Sequence, residues 1–247
     1  MLSFTNVVAP RNPTSNYITQ PPILAGGSAD EYAFLFCATA RNNDASNAAL
    51  KGTKFLQATR TSSSCYMVGL KENIEIQCAD GLPWQWRRIC FTYKGQSNLP
   101  PGTTSFATAI LASAGQTRVV NEIPISSRNA FYGLLFKGNV NADWTDVFTA
   151  PVDTSRVSLK YDKTITIASG NEEGVIRKYK RWHPMGHNLL YDDDELGGNE
   201  AASNFSVSSR IGMGDYYVLD IIKPRVGSTS ASQLLFQPTS TLYWHEK

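Results

Sequence analysis

No run of apolar residues in the 247-residue chain reaches the roughly 18 that a membrane-crossing helix needs, so no transmembrane helix is expected. The first residues, MLSFTNVVAPRNPTSN, lack a basic stretch followed by an apolar core, so no signal peptide is expected in them. Excess charge is missing too. Lys and Arg number 23 against 21 Asp and Glu, a net charge of +2, which is not the balance of a strongly basic nucleic-acid binder. Cysteine and histidine are scarce, at 4 and 3. Cys37, Cys65, Cys78 and Cys90 form no CxxC pair, so a zinc site is weakly supported. Cys37 and Cys90 sit in strand-like FLFCAT and RRICFTY, where a free thiol acts as a small hydrophobe. A disulfide stays open; reduced thiols in an intracellular assembly compartment are the simpler expectation. There is no GxGxxG after a strand, no GxxxxGK[ST], no GxSxG and no HExxH, so dinucleotide, P-loop, hydrolase-elbow and zincin chemistry have no signal. No catalytic residue, metal or cofactor is predicted.

What is present is strand after strand, separated by Gly, Pro, Ser and Asn. The candidates are Glu31 to Thr39, CYMVGL and NIEIQC within Cys65 to Cys78, Trp84 to Tyr93, Gln116 to Ile125, and Ala130 to Lys137. Arg156 to Ala168 reads as two alternating runs about a turn at Asp162-Lys163. Val175 to Trp182, Asp215 to Ile222, Gln233 to Phe236 and Thr241 to His245 follow. Helical signals are few: Asp44 as a cap over ASNAALKG, and Asn141 or Asp143 over ADWTDVF. No helix of about 12 residues separates successive strands, which disfavours a parallel βαβ sheet. Neither a repeat nor a dividing linker is found. The expectation is all-β: one antiparallel sandwich domain over 1–247 with long loops and few short helices, preceded by an extended segment over 1–30.

Several stretches invite a chemical reading. His183 and His187 in WHPMGH have a metal-like spacing, but Pro184 and Gly186 predict a loop there. Asp192-Asp193-Asp194-Glu195 is the strongest charge run and reads first as a solvated or subunit-contact loop, second as a cation site. The sequon at Asn204 has no secretory signal to make it used. Arg177 to Arg181 (RKYKR) with Trp182 is the most nucleic-acid-like segment: cations for phosphates, Tyr179 and Trp182 for bases. In a strand, Arg177, Tyr179 and Arg181 point one way and Lys178, Lys180 and Trp182 the other. In WQWRR, Trp84, Trp86 and Arg88 share one face, Gln85 and Arg87 the other. A core aromatic stripe is the first reading there, with Arg87 or Arg88 as phosphate contacts the sharper one.

These segments carry a resemblance. MLSFTN at the start, CYMVGLKE at Cys65 to Glu72 and GLPWQWRRICFTYKG at Gly81 to Gly95 belong to it. So do KYKRWHPMGHNLLYDDDELGG at Lys178 to Gly198, MGDYYVLDII at Met213 to Ile222 and the terminal LYWHEK. In this order they resemble the capsid proteins of genomoviruses, small circular single-stranded DNA viruses, and more distantly geminivirus coat proteins. The resemblance implies an eight-stranded jelly roll, with about 60 copies closing a T=1 icosahedral shell around single-stranded DNA. It implies a structural protein of the virion, assembled in the host nucleus, with host nuclear import factors as partners, no membrane and no catalysis. Arg87, Arg88, Lys178, Lys180 and Trp182 are then the expected DNA-facing residues, and Arg177, Tyr179 and Arg181 the competing set. Family members begin with an arm rich in Arg and Lys, whereas up to Asp30 this sequence has only Arg11. About 2,000 nucleotides shared by about 60 subunits leave about 30 phosphates each, far beyond +2, so a basic arm outside these residues is expected. The alternatives are a lectin-like binding module and a metal-dependent jelly-roll enzyme.

Overall fold

A computed structural model of the chain describes residues 1, 3–5, 17–43, 51–53, 55, 58–94, 99–101, 106–112 and 115–246. In chain order the strands are β1 (Ser3–Thr5), β2 (Ile23–Ala25), β3 (Tyr32–Cys37), β4 (Ser64–Cys78), β5 (Trp84–Tyr93), β6 (Ile110–Ala112) and β7 (Gly115–Val120). The helix α1 (Ile125–Leu135) comes next. β8 (Ser158–Ile167), β9 (Val175–Leu190), β10 (Asp194–Leu196), β11 (Asn199–Ala201), β12 (Asp215–Pro224) and β13 (Gln233–Glu246) complete the set. Two four-stranded antiparallel sheets dominate, ordered β3-β12-β5-β8 and β2-β13-β4-β9. The all-β sandwich expectation holds at that level. No helix among the described residues is long and apolar enough to cross a membrane.

Burial follows the strand pattern. Tyr32, Phe34, Trp84, Trp86 and Ile222 of one sheet pack against Ile74, Ile76, Leu234 and Phe236 of the other. The alternate residues of the first sheet (Ala33, Leu35, Ile89, Phe91, Tyr217, Leu219 and Ile221) are buried too. They lie under Phe131 and Leu135 of α1 and under Phe136, Trp144 and Val147 of the connection beyond it. A sheet covered on both faces reads as continuous apolar runs, and YAFLFC and DYYVLDII do. In β4 the pattern alternates instead: Ile74 and Ile76 are buried while Lys71 and Asn73 are exposed. One face of β2-β13-β4-β9 is therefore open. The described residues form three layers; this sheet presents a polar face across its central strands, and in the other sheet the edge strand β8 is exposed.

Several expectations are corrected. Ala130 to Lys137, expected as a strand, lies mostly in α1, and the strand expected to reach Ile125 ends at Val120. Ser127, Arg128, Phe131, Tyr132 and Leu135 are buried, the three-to-four spacing of a helix that a dense apolar run conceals. The segment ADWTDVF forms turns rather than a helix, with Asn141 in the left-handed region at φ 64°. β8 is one strand without a turn at Asp162-Lys163, because β5 pairs with it throughout. β9 continues eight residues past Trp182, through the expected loop. As an edge strand it tolerates Pro184, whose missing N–H costs no ladder bond on the open side. β13 likewise runs through Pro238, because β2 reaches only as far as Leu235 and leaves that flank unpaired. All four cysteines are buried free thiols. The proposed cap at Asp44 falls outside the described residues.

Candidate nucleic-acid interface

β5 sends Arg88 into the space between the sheets. There it meets Asp220 of β12 through two hydrogen bonds, from Nε (2.7 Å) and Nη2 (2.8 Å). Its Nη1 donates to Glu72 of β4. Trp86 Nε1 donates to the same Asp220 (2.8 Å), and Arg118 of β7 closes the group at 3.1 Å from Asp220 and 3.5 Å from Glu72. Ser240 Oγ donates to Glu72 (3.0 Å). Burial works against the charge on Glu72, but Arg88, His183 and Arg118 outweigh it and hold the carboxyl well below the usual carboxylate range. For Arg88 burial is likewise outweighed, by Asp220 and Glu72, and its pKa is raised. Two guanidinium groups facing two carboxylates neutralise one another, which is what makes four buried charges tolerable. Arg87 points to the other face of the sheet. It forks onto Asp162 of β8 (2.9 and 2.6 Å) and donates to Val147 O, 2.5 Å away, beneath the ring of Phe136. Arg87 and Arg88 are 4% and 2% exposed, so neither is available to a phosphate, and both expected assignments are corrected. The stripe of Trp84 and Trp86 is core, as the first reading had it.

β9 separates its two sets of side chains as period two requires. Tyr179 turns inward and sets its ring edge-on to Trp86 at 5.3 Å. Arg181 lies over Tyr179 at 5.6 Å, and Arg177 donates to Ala168 O (3.1 Å). Tyr179 and Arg181 are half-buried at the edge of the core, and Arg177 stands exposed beside them. Lys178, Lys180 and Trp182 emerge on the open side of the sheet. Lys178 is held by Glu75 at 3.0 Å, and hydrogen bonds from Gln77 and Lys178 keep the Glu75 carboxyl below its ordinary range. Of the eight expected residues, the structure leaves Lys180 and Trp182 exposed on the open face without an ion pair, with the paired Lys178 beside them.

The register builds the rest of that face. Lys178, Glu75 and Gln237 form one row across β9, β4 and β13; Lys180, Asn73 and Thr239 form the next. Trp182, Lys71 and Thr241 form the third, and Pro184, Gly69 and Tyr243 the fourth. A groove of about 290 Å³ is lined by Asn73, Ile74, Glu75, Lys178, Tyr179, Lys180, Gln237 and Thr239. Beside it the Trp182 ring lies over Gly69, where an added Cβ would stand 2.6 Å from Trp182 Cζ2. Trp182 and Tyr243 are 5.8 Å apart between ring centroids and remain 49% and 43% exposed. Lys71, Gly69 and Tyr243 were not singled out from the sequence. The alternation in KENIEIQC carries the signal for Lys71, but its neighbours across the sheet come from the end of the chain.

The other chemical readings are placed as well. His183 is buried 3.4 Å from Glu72 and 3.8 Å from the Cys90 sulfur, while His187 is exposed and its Nδ1 lies 2.6 Å from Met185 O. Asp193 forks onto Arg60 (2.6 and 2.5 Å), a buried structural pair. Among the described residues no three His, Cys, Asp or Glu side chains are grouped to hold a metal. Asp215 sits buried at the start of β12, accepting hydrogen bonds from the Ser206 N–H and hydroxyl and from Thr39. Burial pushes its pKa up to about 6, with the bonds from Ser206 and Thr39 opposing. Compared with known proteins, the chain matches no protein-family model and no curated protein sequence.

Proposed function

We propose that the protein is a structural capsid subunit that self-assembles, in about 60 copies, into a small icosahedral shell around single-stranded DNA. The observation that carries this reading is the strand order. β3-β12-β5-β8 faces β2-β13-β4-β9, eight strands with the chain passing repeatedly between sheets, and this supports a jelly roll of the type that builds small viral shells. The motifs from CYMVGLKE to LYWHEK add the family resemblance. A near-neutral body suits subunits that pack side by side without strong mutual repulsion. Large apolar side chains stand open outside the two main sheets: Val226 is 90% exposed, Leu196 of β10 65% and Ile211 64%. Contacts between subunits give such groups a place to be buried. The working location is the virion, and the host nucleus during assembly, with nuclear import factors as transient partners. The fold's own chemistry in this reading is packing and charge neutralisation, not catalysis.

Negative-stain microscopy of the purified protein, paired with nuclease digestion, tests the reading. Shell-sized particles holding nuclease-protected single-stranded DNA are expected. A protein that stays monomeric across a range of salt and concentration overturns it and favours a binding module.

A further inference from the structure

The capsid reading leaves open which surface meets the nucleic acid, and the layering narrows the choice. On the outer face of β3-β12-β5-β8, the strands β3, β12 and β5 lie under α1 and the connection beyond it, and only the edge strand β8 is largely exposed. The faces between the sheets are core. Among the described residues the outer face of β2-β13-β4-β9 is open across its central strands as well as its edge, and it carries two features of opposite character side by side. One is the half-exposed pair of rings, Trp182 and Tyr243, seated over Gly69. The other is a set of lysines in adjacent rows. Lys71 stands in the row of Trp182 and Lys180 in the row beside it. Neither has an ion-pair partner among the described residues, whereas Lys178 is occupied by Glu75. Along this stretch three lysines face one glutamate, so the face has a local positive excess that the chain as a whole lacks.

From this juxtaposition we propose that the open face of β2-β13-β4-β9 is a binding surface for unpaired nucleic-acid strand. A base stacks on Trp182 and Tyr243, and the flanking phosphates meet Lys71 and Lys180. The inference rests on the capsid reading for its occupant. Its chemistry is that of sequence-tolerant single-strand recognition: aromatic planes accept any base, and lysines follow the backbone. A duplex keeps its bases stacked on one another and offers the rings nothing. A flat surface for a second protein copy would lack the match between lysine and phosphate. Gly69 acts as a positioning residue here, since a side chain at that point displaces the indole.

The test is titration of fluorescently labelled oligo-dT into the wild-type chain and three variants, by anisotropy over a salt series, with a duplex of equal length as comparison. Wild type is expected to bind oligo-dT in preference to duplex. Trp182→Ala weakens binding about tenfold, and Trp182→Phe recovers most of the loss. Lys71→Ala with Lys180→Ala lowers the slope of log K against log salt by about 1.4, two single-strand phosphate contacts. Wild-type affinity and slope in all variants, or equal binding of duplex, overturns the proposal. Loss of oligomers in Trp182→Ala with unchanged binding also overturns it and assigns the face to a second copy. The two ideas fail separately. Particles without an effect of these variants overturn the face and leave the shell. Oligo-dT binding without particles overturns the shell and leaves the face.

Discussion

Arg88 shows how strongly context decides the role of a charged residue. Its five N–H donors match the carboxylates of Asp220 and Glu72, and a flexible ammonium cannot reproduce that fork. Arg88→Ala leaves two buried carboxylates with Arg118 as the one remaining guanidinium beside them. It is expected to cost about 3–5 kcal/mol, read as a lowered urea midpoint. Arg88→Lys should recover little of this. The acidic groups on either side of the core carry opposite pH signatures. Glu72 has a depressed pKa in the folded state, so its contribution is present above the ordinary value of 4.5 and is lost as pH falls below it. Asp215 is raised to about 6, so the folded state prefers it protonated, and stability falls as pH rises from about 4 to about 6. Asp215→Asn keeps an acceptor oxygen and removes the charge. Urea midpoints measured from pH 4 to 7 are expected to lose that downward slope, with the variant the more stable protein at pH 7. An unchanged slope would place the titration elsewhere.

At the scale of elements, edges and turns explain what strand patterns alone did not. β9 extends through Pro184 and Gly186, and β13 through Pro238, because each proline sits where no neighbouring strand asks for its N–H. Sequence reading treats proline as a stop since it has no knowledge of which strand lies at an edge. The turn into β9 depends on Gly174, at φ +85°, where an added Cβ would lie 2.1 Å from the Cys78 carbonyl oxygen. Gly170, in the same connection, has nothing within 4 Å. Gly174→Ala is therefore expected to lower stability by about 1–3 kcal/mol, while Gly170→Ala stays close to wild type. Thermal or urea unfolding of the pair checks it. Equal effects would mean that the β8–β9 connection rearranges freely. The helix α1 is the clearest element that strand reading missed. Its length of 11 residues and its dense apolar content hide a helical period until Phe131, Tyr132 and Leu135 are seen to pack on the sheet.

For the whole molecule, three layers turn an ordinary sandwich into an asymmetric one. In the sheet β3-β12-β5-β8 the strands β3, β5 and β12 are almost wholly buried, while the edge strand β8 is largely exposed. The sheet β2-β13-β4-β9 keeps a polar face about four rows long, with a groove and an aromatic seat. In the proposed capsid reading, this is the side that meets a charged, flexible cargo. In the same reading, exposed Leu196 of β10 and Ile211 and Val226 of the connections meet neighbouring copies. The near-zero net charge is compatible with both, because the basic excess is local rather than global.

What the sequence determined by itself is which side chains travel together. Alternation along a strand is a property of the backbone. The split of Lys178, Lys180 and Trp182 from Arg177, Tyr179 and Arg181 is therefore legible in the order of residues alone, as is that of Trp84, Trp86 and Arg88 from Arg87. Only the tertiary structure decided which set meets solvent. That depends on what covers each face, and the cover comes from distant segments: α1 and its following connection over Arg87, Asp220 and Glu72 around Arg88, Trp86 against Tyr179. The same holds for the seat of Trp182, which needs a glycine in β4 and a tyrosine in β13 brought alongside by pairing across 113 and 61 residues of sequence. Pairing of that range is a matter of sheet order and register, and no local pattern contains it.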